Sequence, residues 1–244
     1  MVENKSSLTR DLLEGIKIVW LDLDDTIWDF HANSRVALRG LYDNYSLSCA
    51  FPTAEQWIDC YERHNHALWD LYNRAQIEKV YLMKERFLRP LTEVGHPKAE
   101  ELAARFDKEY LDRLAECTEL ISGAISLLTK IKEHGLLTGI LSNGFVEVQH
   151  RKIRNSGLAP LIDYIVLSDD IGVNKPDGRI FRYAESVAGV TADQCLMIGD
   201  NPVTDIAGAL NAGWRAFLFS RNGDTAASLP APVATTLDSL SEIF

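Results

Sequence analysis

The sequence predicts an α/β protein built on a parallel sheet with helices on both sides and a helical segment inserted after the first strand. From about residue 120 onward, short apolar runs of strand length alternate with amphipathic segments of helical periodicity. Such alternation is typical of parallel strands joined by crossover helices. Residues 31–118 instead contain helical patterns alone.

The first strand is predicted over KIVWLDL, residues 17–23. Its apolar residues are continuous rather than alternating, as expected for a strand buried on both faces. It leads into three aspartates, Asp22, Asp24 and Asp25, whose like charges repel one another. A solvated turn is the simplest interpretation, since Asp is a common turn residue. Residues far downstream favour a functional site instead.

The inserted segment carries several helix-start signals. Thr53 and Gln56 form a capping-box pattern that predicts a helix running to about residue 74. A second helix is expected over 77–88, Pro97 fits the first position of a third, and an earlier helix is expected to begin at Asn33–Ser34. We therefore predict a core domain of residues 1–30 and 119–244 and a helical cap domain of residues 31–118.

The rest of the core domain reads as strands and helices in turn. Each predicted helix is followed by a glycine, a frequent helix terminator. The strands are expected at residues 136–143, 164–170, 195–200 and 214–220, and the helices at 122–135, 145–157, 176–189 and 203–213.

Composition narrows the class of partner. The formal net charge of −10 and the isoelectric point near 5.1 argue against binding a nucleic-acid polymer or an anionic membrane, which would need a basic surface. The four cysteines show no C-x-x-C spacing, so neither a disulfide framework nor a zinc site is expected. No apolar stretch has the length of a membrane span or a signal sequence, and we expect a soluble cytoplasmic protein.

Polar residues follow four predicted strands at the point where each strand ends. Because ligands bind at the carboxyl ends of parallel strands, these residues are expected to meet at one point. They are Asp22 and Asp24, Ser142 and Asn143, Lys175, and Asp200 with Asp205.

Carboxylate oxygens suit Mg²⁺, which shares its coordination sphere with substrate phosphate oxygens. The metal and Lys175 are expected to keep Asp22 ionised and its pKa low. Asp22 can then attack phosphorus to give an aspartyl-phosphate. Asp24, two residues on in an extended segment, points the same way and is placed as general acid and then general base. Ser142 and the backbone amides near Asp24 and Asn143 are expected to hold the phosphoryl oxygens.

The four motifs resemble those of the haloacid dehalogenase-like (HAD) hydrolase superfamily, and the insert is similar to its C1 cap. The resemblance implies a Rossmann-like core, Mg²⁺ as cofactor, Asp22 as nucleophile and Asp24 as acid/base. It also implies metal ligation by Asp22, the Asp24 backbone carbonyl and Asp200, and phosphate binding by the motif residues. The supporting residues are Asp205, beside the metal water or the lysine, and Thr26, which shapes the loop; Ser142 and Lys175 match the family's phosphate-binding pair.

Within this superfamily, Asp24 favours a phosphatase over a dehalogenase, since a leaving alkoxide needs an acid and a halide does not. Residues 67–72, 85–87 and 142–145 resemble the noncanonical pyrimidine 5′-nucleotidases. That resemblance implies a small phosphomonoester substrate, a pyrimidine nucleoside monophosphate. Cap aromatics such as Trp57 and Trp69 are able to stack a base, although aromatics at helical spacing are more often core.

Three alternatives stay open at this point. One is a phosphatase for small phosphorylated acids or sugars, such as phosphoglycolate, and another is a sugar-phosphate mutase of the same superfamily. The third is a phosphoryl-accepting regulatory module rather than an enzyme. Receiver domains lack a long helical insert after the first strand and place the phosphorylated aspartate on a later strand, which disfavours this third reading.

Overall fold

The computed structural model describes residues 13–221, 223 and 230–244, and within them the protein contains a six-stranded sheet. The strands are β1 (Ile18–Leu21), β2 (Leu137–Ser142), β3 (Tyr164–Leu167), β4 (Cys195–Gly199), β5 (Arg215–Phe219) and β6 (Val233–Ala234).

Every strand pairing in this sheet is parallel, and the strand order is β3-β2-β1-β4-β5-β6. β1 is central: Ile18 is in register with Leu137 of β2 on one side and with Cys195 of β4 on the other. The chain extends the sheet outward through β2 and β3, then returns to the far side of β1 to add β4. The strand order thus reverses beside β1, where open α/β sheets bind their ligands. The predicted α/β class is confirmed.

The five strands expected from apolar runs are all present, whereas β6 was not predicted. This strand has two residues and joins the sheet through Val233, which is in register with Leu218. So short a strand carries no recognisable hydrophobic pattern, and its formation depends on the edge that β5 offers.

The helices that follow the strands end as expected. Gly135 lies beyond the helix Ala124–Glu133 with φ of 73°, and Gly189 lies beyond the helix Gly178–Ala188 with φ of 66°. Glycine adopts this left-handed conformation without a steric penalty, so the chain can leave the helix and enter the next strand. The helices of this part are α5 (Ala124–Glu133), α6 (Val146–Asn155), α7 (Gly178–Ala188), a π-helical turn (Pro202–Ala207), α8 (Gly208–Asn211) and α9 (Leu237–Ser241).

The insert is helical, with α1 (Phe30–Asn44), α2 (Ala54–Asn73), α3 (Lys79–Glu93) and α4 (Ala99–Glu116). The predicted cap of α2 is confirmed, since the Thr53 side chain accepts a hydrogen bond from the Gln56 amide.

Two of the predicted helix starts in the insert were wrong. α1 begins at Phe30, so Asn33–Ser34 lies inside it, and the buried Ser34 hydroxyl is hydrogen-bonded to the Tyr110 hydroxyl at 2.8 Å instead of capping. α4 begins two residues after Pro97, because Lys98 occupies the N-cap position.

The chain divides into two compact units. The first comprises the described residues within Met1–Asp29, Glu119–Val146 and Ser156–Phe244, and it contains the sheet. The second comprises Phe30–Thr118 and Glu147–Asn155. Most of α6, which follows β2 in sequence, therefore packs with the insert.

Each unit has its own apolar core. In the first, Trp20 stacks on Trp214 with ring centroids 6.0 Å apart, and Gly139 on the neighbouring strand leaves room for the Trp20 ring. A Cβ atom at Gly139 would lie 2.3 Å from that ring. The core of the second unit is an aromatic cluster of Trp57, Tyr61, Phe87, Phe106 and Tyr110. No helix among the described residues is long and apolar enough to cross a membrane.

Candidate active site

The site lies in the first unit, at the carboxyl end of β1. Asp22 directly follows this strand, and its amide donates to the Ile198 carbonyl of β4 at 2.9 Å. The backbone at Asp22 therefore continues the central parallel ladder. Only 8% of Asp22 is exposed, so its carboxylate is fixed at the sheet edge where the strand order reverses.

The chain turns sharply immediately after Asp24. Asp25 has φ of 60°, and its amide donates to the Trp28 carbonyl at 2.8 Å. The Asp25 carboxylate accepts a hydrogen bond from Arg221 at 3.1 Å. These features make Asp25 a turn residue in the left-handed conformation, which Asp adopts more readily than most residues.

Lys175 is the centre of the charged network. Its Nζ atom lies 2.6 Å from Oδ1 of Asp22, 2.6 Å from Oδ1 of Asp205 and 2.6 Å from the Leu141 carbonyl oxygen. An ammonium group has three donors, and each of these contacts takes one. The side chain is 1% exposed, so the ion pairs form away from bulk water.

The Asn143 side chain holds the backbone of Lys175 in position. Its Oδ1 accepts from the Lys175 amide at 2.8 Å, and its Nδ2 donates to the Lys175 carbonyl at 3.0 Å. Both polar ends of the Asn143 side chain thus contact the lysine backbone. The phosphate-binding role of Asn143 stays a prediction, and it concerns the backbone amide of this residue.

Ser142 is the last residue of β2 and is buried. Its hydroxyl oxygen accepts a hydrogen bond from the Gly144 amide at 3.1 Å. This contact orients the side chain at the start of the loop that also carries Asn143. The predicted hydroxyl and amide donors therefore belong to one short, ordered segment.

Asp205 reaches the site from the π-helical turn after β4. Its Oδ2 accepts from the Asn201 amide at 3.0 Å, while its Oδ1 contacts Lys175. The carboxylate lies directly over Gly199: a Cβ atom there would be 2.3 Å from the Asp205 Oδ2 atom. The glycine before Asp200 is thus a steric requirement of the second acidic residue.

Three carboxylates provide the oxygen atoms of a possible metal site. Asp22, Asp200 and Asp205 each offer an oxygen atom within 4.8 Å of the others. The buried Thr26 donates its hydroxyl to Asp200 at 3.3 Å, which orients one of them. An all-oxygen donor set with excess negative charge fits Mg²⁺.

The pKa of Asp22 is raised to about 7, chiefly by burial. Attraction to Lys175 acts in the opposite direction, whereas repulsion from Asp205 and then Asp24 adds to the rise. Burial also raises the pKa of Asp200 well above its usual value, with repulsion from Asp205 in the same direction. The expectation of a low Asp22 pKa was made for the carboxylate with both a metal ion and Lys175 beside it, and it stays a prediction; desolvation acts against it.

Lys175 stays cationic because nearby carboxylates affect its pKa more strongly than burial does. Burial alone lowers its pKa, but attraction to Asp205 and Asp22 outweighs burial, and the net shift is upward. The lysine thus offsets part of the repulsion between two buried carboxylates. A divalent cation would offset the rest and favour the ionised form of Asp22.

Asp169 and Asp170 order the backbone near the site. The Asp170 carboxylate accepts from the Leu167 amide at 2.8 Å, and that of Asp169 accepts from the Val146 amide at 3.1 Å. Sequence reasoning missed Arg221, which pairs with Asp25 and with Asp29 at 3.0 Å. No local signal links residues so far apart in the chain.

The insert aromatics separate into two groups. Trp57 and Phe87 are fully buried in the core of the second unit, so they do not offer a stacking face. Trp69 and Tyr72 are half-buried and pack edge to face, with centroids 5.5 Å apart. Arg86, from the same part of the chain, is buried and donates to Asp107 at 2.9 Å.

A lysine and several carboxylates at the switch point of a parallel sheet form a site suited to binding and transferring an anionic group. The chain belongs to the haloacid dehalogenase-like hydrolase family, whose sequence model matches residues 16–213. Its relatives include phosphatases, and the chain is an enzyme of that type.

Two relatives carry the same activity in their names. Pyrimidine 5′-nucleotidase YjjG from Escherichia coli is 31% identical over 196 residues, which cover 80% of this chain and 82% of the relative. Pyrimidine 5′-nucleotidase PynA from Streptococcus pneumoniae is 30% identical over 198 residues, covering 81% of each chain. Other matching relatives are phosphatases named for other substrates. The resemblance to the noncanonical pyrimidine nucleotidases is thus confirmed at the level of the group.

The fold is shared with a solved structure, HAD-hydrolase YfnB from Bacillus subtilis, which was bound to magnesium. The TM-score is 0.84 at 28% identity, and the match covers 93% of this chain and 98% of that one.

Proposed function

We propose that the protein is a Mg²⁺-dependent phosphatase of pyrimidine nucleoside 5′-monophosphates that works through an aspartyl-phosphate on Asp22. The observation that carries the proposal is the buried Asp22 carboxylate at the end of β1, held by Lys175 at 2.6 Å. A carboxylate fixed in this way loses little freedom on attacking phosphorus.

The reaction follows from the order of the two acids. An Asp22 oxygen forms a bond to phosphorus as the bond from phosphorus to the ester oxygen breaks, and Asp24 donates its proton to that leaving oxygen. The nucleoside departs as an alcohol. Asp24, now a carboxylate, takes a proton from water as the water oxygen attacks phosphorus, which releases inorganic phosphate and restores Asp22.

The other residues bind and orient. Ser142 and the Asn143 backbone amide donate to the phosphoryl oxygens, and Lys175 neutralises charge on Asp22 as it becomes an acyl phosphate. Side-chain oxygens of Asp22 and Asp200 and the Asp24 carbonyl would hold Mg²⁺, with Asp205 in support. When bound, the metal neutralises the substrate dianion and the clustered carboxylates.

The substrate class rests on relatives rather than on the site. Two relatives named as pyrimidine 5′-nucleotidases, together with the resemblance at residues 67–72, support a pyrimidine nucleotide. That segment contains Trp69 and Tyr72, the aromatics of the resemblance that the core of the second unit leaves half-buried. The proposal requires no polymeric nucleic acid and no membrane.

A substrate panel tests the proposal. Phosphate release is measured from dUMP, dTMP, UMP, GMP, phosphoglycolate and a hexose phosphate, each with Mg²⁺ and with EDTA. We expect metal-dependent release that is fastest for the pyrimidine nucleotides. Faster release from phosphoglycolate or the hexose phosphate would overturn the nucleotide assignment while keeping the mechanism. Undiminished release in EDTA would overturn the metal requirement.

A further inference from the structure

A second group of possible metal ligands belongs to the second unit. Cys60 and His64 are four residues apart on α2, so both side chains leave the same face of that helix. Glu93 is the last residue of α3, a helix that packs against α2. One ligand atom from each of the three residues lies within 4.8 Å of the others.

The separations are close to those around a tetrahedral zinc ion. The Cys60 Sγ atom is 3.7 Å from Oε1 of Glu93, and the His64 Nε2 atom is 2.8 Å from Oε2 of Glu93. Standard zinc bond lengths at tetrahedral angles require about 3.5 Å between sulfur and oxygen and about 3.3 Å between nitrogen and oxygen. Because the two contacts are made by different Glu93 oxygens, a rotation of the Glu93 side chain is needed to offer one oxygen to a metal ion held by Cys60 and His64.

A cationic group already contacts two members of this cluster. The Arg63 guanidinium lies 2.7 Å from Oε1 of Glu93 and 3.5 Å from the Cys60 sulfur. The Arg63 side chain is 59% exposed, so it can rotate into solvent at little cost. The cluster thus attracts positive charge, and its present occupant is replaceable.

We propose that Cys60, His64 and Glu93 form a zinc site that joins α2 to α3. A thiolate, an imidazole and a carboxylate together select Zn²⁺ over Mg²⁺, since Mg²⁺ prefers oxygen alone. Three protein ligands leave one tetrahedral position for water. The proposal differs from the expectation that no zinc site is present, which did not consider a cysteine and a histidine one helical turn apart.

A metal ion would enter the proposed zinc site from the side on which Glu93 lies. Cys60 is 7% exposed and anchors the inner end of the cluster, whereas Glu93 and Arg63 face solvent. A metal ion can therefore reach the sulfur once the arginine has moved, without unfolding of α2. The bound ion would add a cross-link between two helices that now meet through packing and surface ion pairs.

Cobalt binding distinguishes this site from the carboxylate site. Co²⁺ bound to a thiolate gives a sulfur-to-metal charge-transfer absorption in the near ultraviolet, which an all-oxygen site cannot give. We expect the reduced full-length protein to show this band at one equivalent of Co²⁺, and added Zn²⁺ to remove it. Absence of the band at saturating Co²⁺ would overturn the proposal.

Paired variants assign the ligands. Cys60→Ser should eliminate the band, while Cys49→Ser, at an exposed cysteine, should leave it unchanged. His64→Gln should weaken Zn²⁺ binding at least about tenfold, whereas His66→Gln, on the exposed face of the same helix, should not. Retention of the band in Cys60→Ser, or equal affinity in His64→Gln and His66→Gln, would overturn the assignment.

Arg63→Ala provides a test that does not depend on the folding of a buried-cysteine variant. Removing the competing guanidinium should raise the affinity for Zn²⁺, and Zn²⁺ should raise the melting temperature of this variant more than that of the wild type. A lower affinity in Arg63→Ala would contradict the replacement of arginine by metal.

Discussion

At the scale of single residues, burial and nearby charges have opposing effects on the ionisation of the site. Two buried carboxylates, Asp22 and Asp205, share one buried ammonium at 2.6 Å from each. Their charges do not cancel, and the pKa of Asp22 rises to about 7 chiefly because of burial. The identities of these residues could be predicted from the sequence, because each follows a strand. Their desolvation and the contacts of Asn143 with the Lys175 backbone could not, since both depend on the packed loops.

The role of Asp24 is testable through the leaving group. Asp24→Asn removes the proton donor, which a sugar hydroxyl needs on departure and a p-nitrophenolate needs far less. We expect a fall in kcat of about 10²–10⁴-fold on a nucleoside monophosphate, the usual range for losing a general acid, and a much smaller fall on p-nitrophenyl phosphate. Steady-state rates on both substrates measure the difference, and equal losses would exclude the general-acid role.

At the scale of elements, hydrophobic runs located the strands and terminal glycines located the helix ends. Helix starts were less predictable: Ser34, a common capping residue, is buried inside α1 and bonds to Tyr110. Ser and Asn side chains can cap a helix or form hydrogen bonds elsewhere, whereas few residues other than glycine adopt a positive φ. β6 depends on its neighbour rather than on its own two residues.

The junction of β4 with the π-helical turn should tolerate no side chain at Gly199. In Gly199→Ala the new Cβ atom would lie 2.3 Å from the Asp205 carboxylate, which must move away from Lys175. We expect a loss of about 1–3 kcal/mol in the free energy of unfolding, with a large loss of activity.

Gly178→Ala is the matched control for that substitution. Gly178 is the first residue of α7, and its Cβ would meet only the end of the flexible Arg182 side chain. Urea unfolding and phosphatase assays on both variants make the comparison. Equal stability and activity in the two would contradict the steric account.

The stability of the first turn of α7 should depend on pH. Asp177 caps this helix by accepting from the Arg179 amide, and its pKa is lowered to about 2, first by the side-chain hydrogen bond from Arg179. Because the folded pKa lies below the usual value of 3.8, the charged form stabilises the protein above about pH 4 and this stabilisation is lost as the pH falls toward 2.

Asp177→Asn keeps a capping oxygen and removes the charge. The side chain is 38% exposed, so we expect the variant to be less stable by only about 0.5–1 kcal/mol at neutral pH, with the difference vanishing near pH 2. Urea midpoints of both proteins across this range measure it. A constant difference at all pH values would show that the charge has no part in capping.

At the scale of the whole molecule, the sequence predicted the α/β class, the parallel sheet and the family. Apolar runs alternate with helical segments along the chain, and polar motifs that resemble those of the family follow four of the strands. The strand order was not predicted in detail, since the return from β3 to β4 leaves no mark on either strand. The cysteine and histidine on α2 were overlooked because a spacing rule for zinc sites was applied without the helical period. The proposed nucleophile and the proposed zinc site lie in different units, so each is tested without disturbing the other.

The most direct test of the account is to locate the phosphoryl group during turnover. Protein mixed with Mg²⁺ and phosphorus-labelled dUMP is quenched in acid within the first turnover, digested, and mapped for labelled peptides. The account predicts an acid-stable, hydroxylamine-sensitive label on Asp22 of the wild type that is absent from Asp22→Asn. Label on another residue, or phosphate release by Asp22→Asn at the wild-type rate, would contradict it.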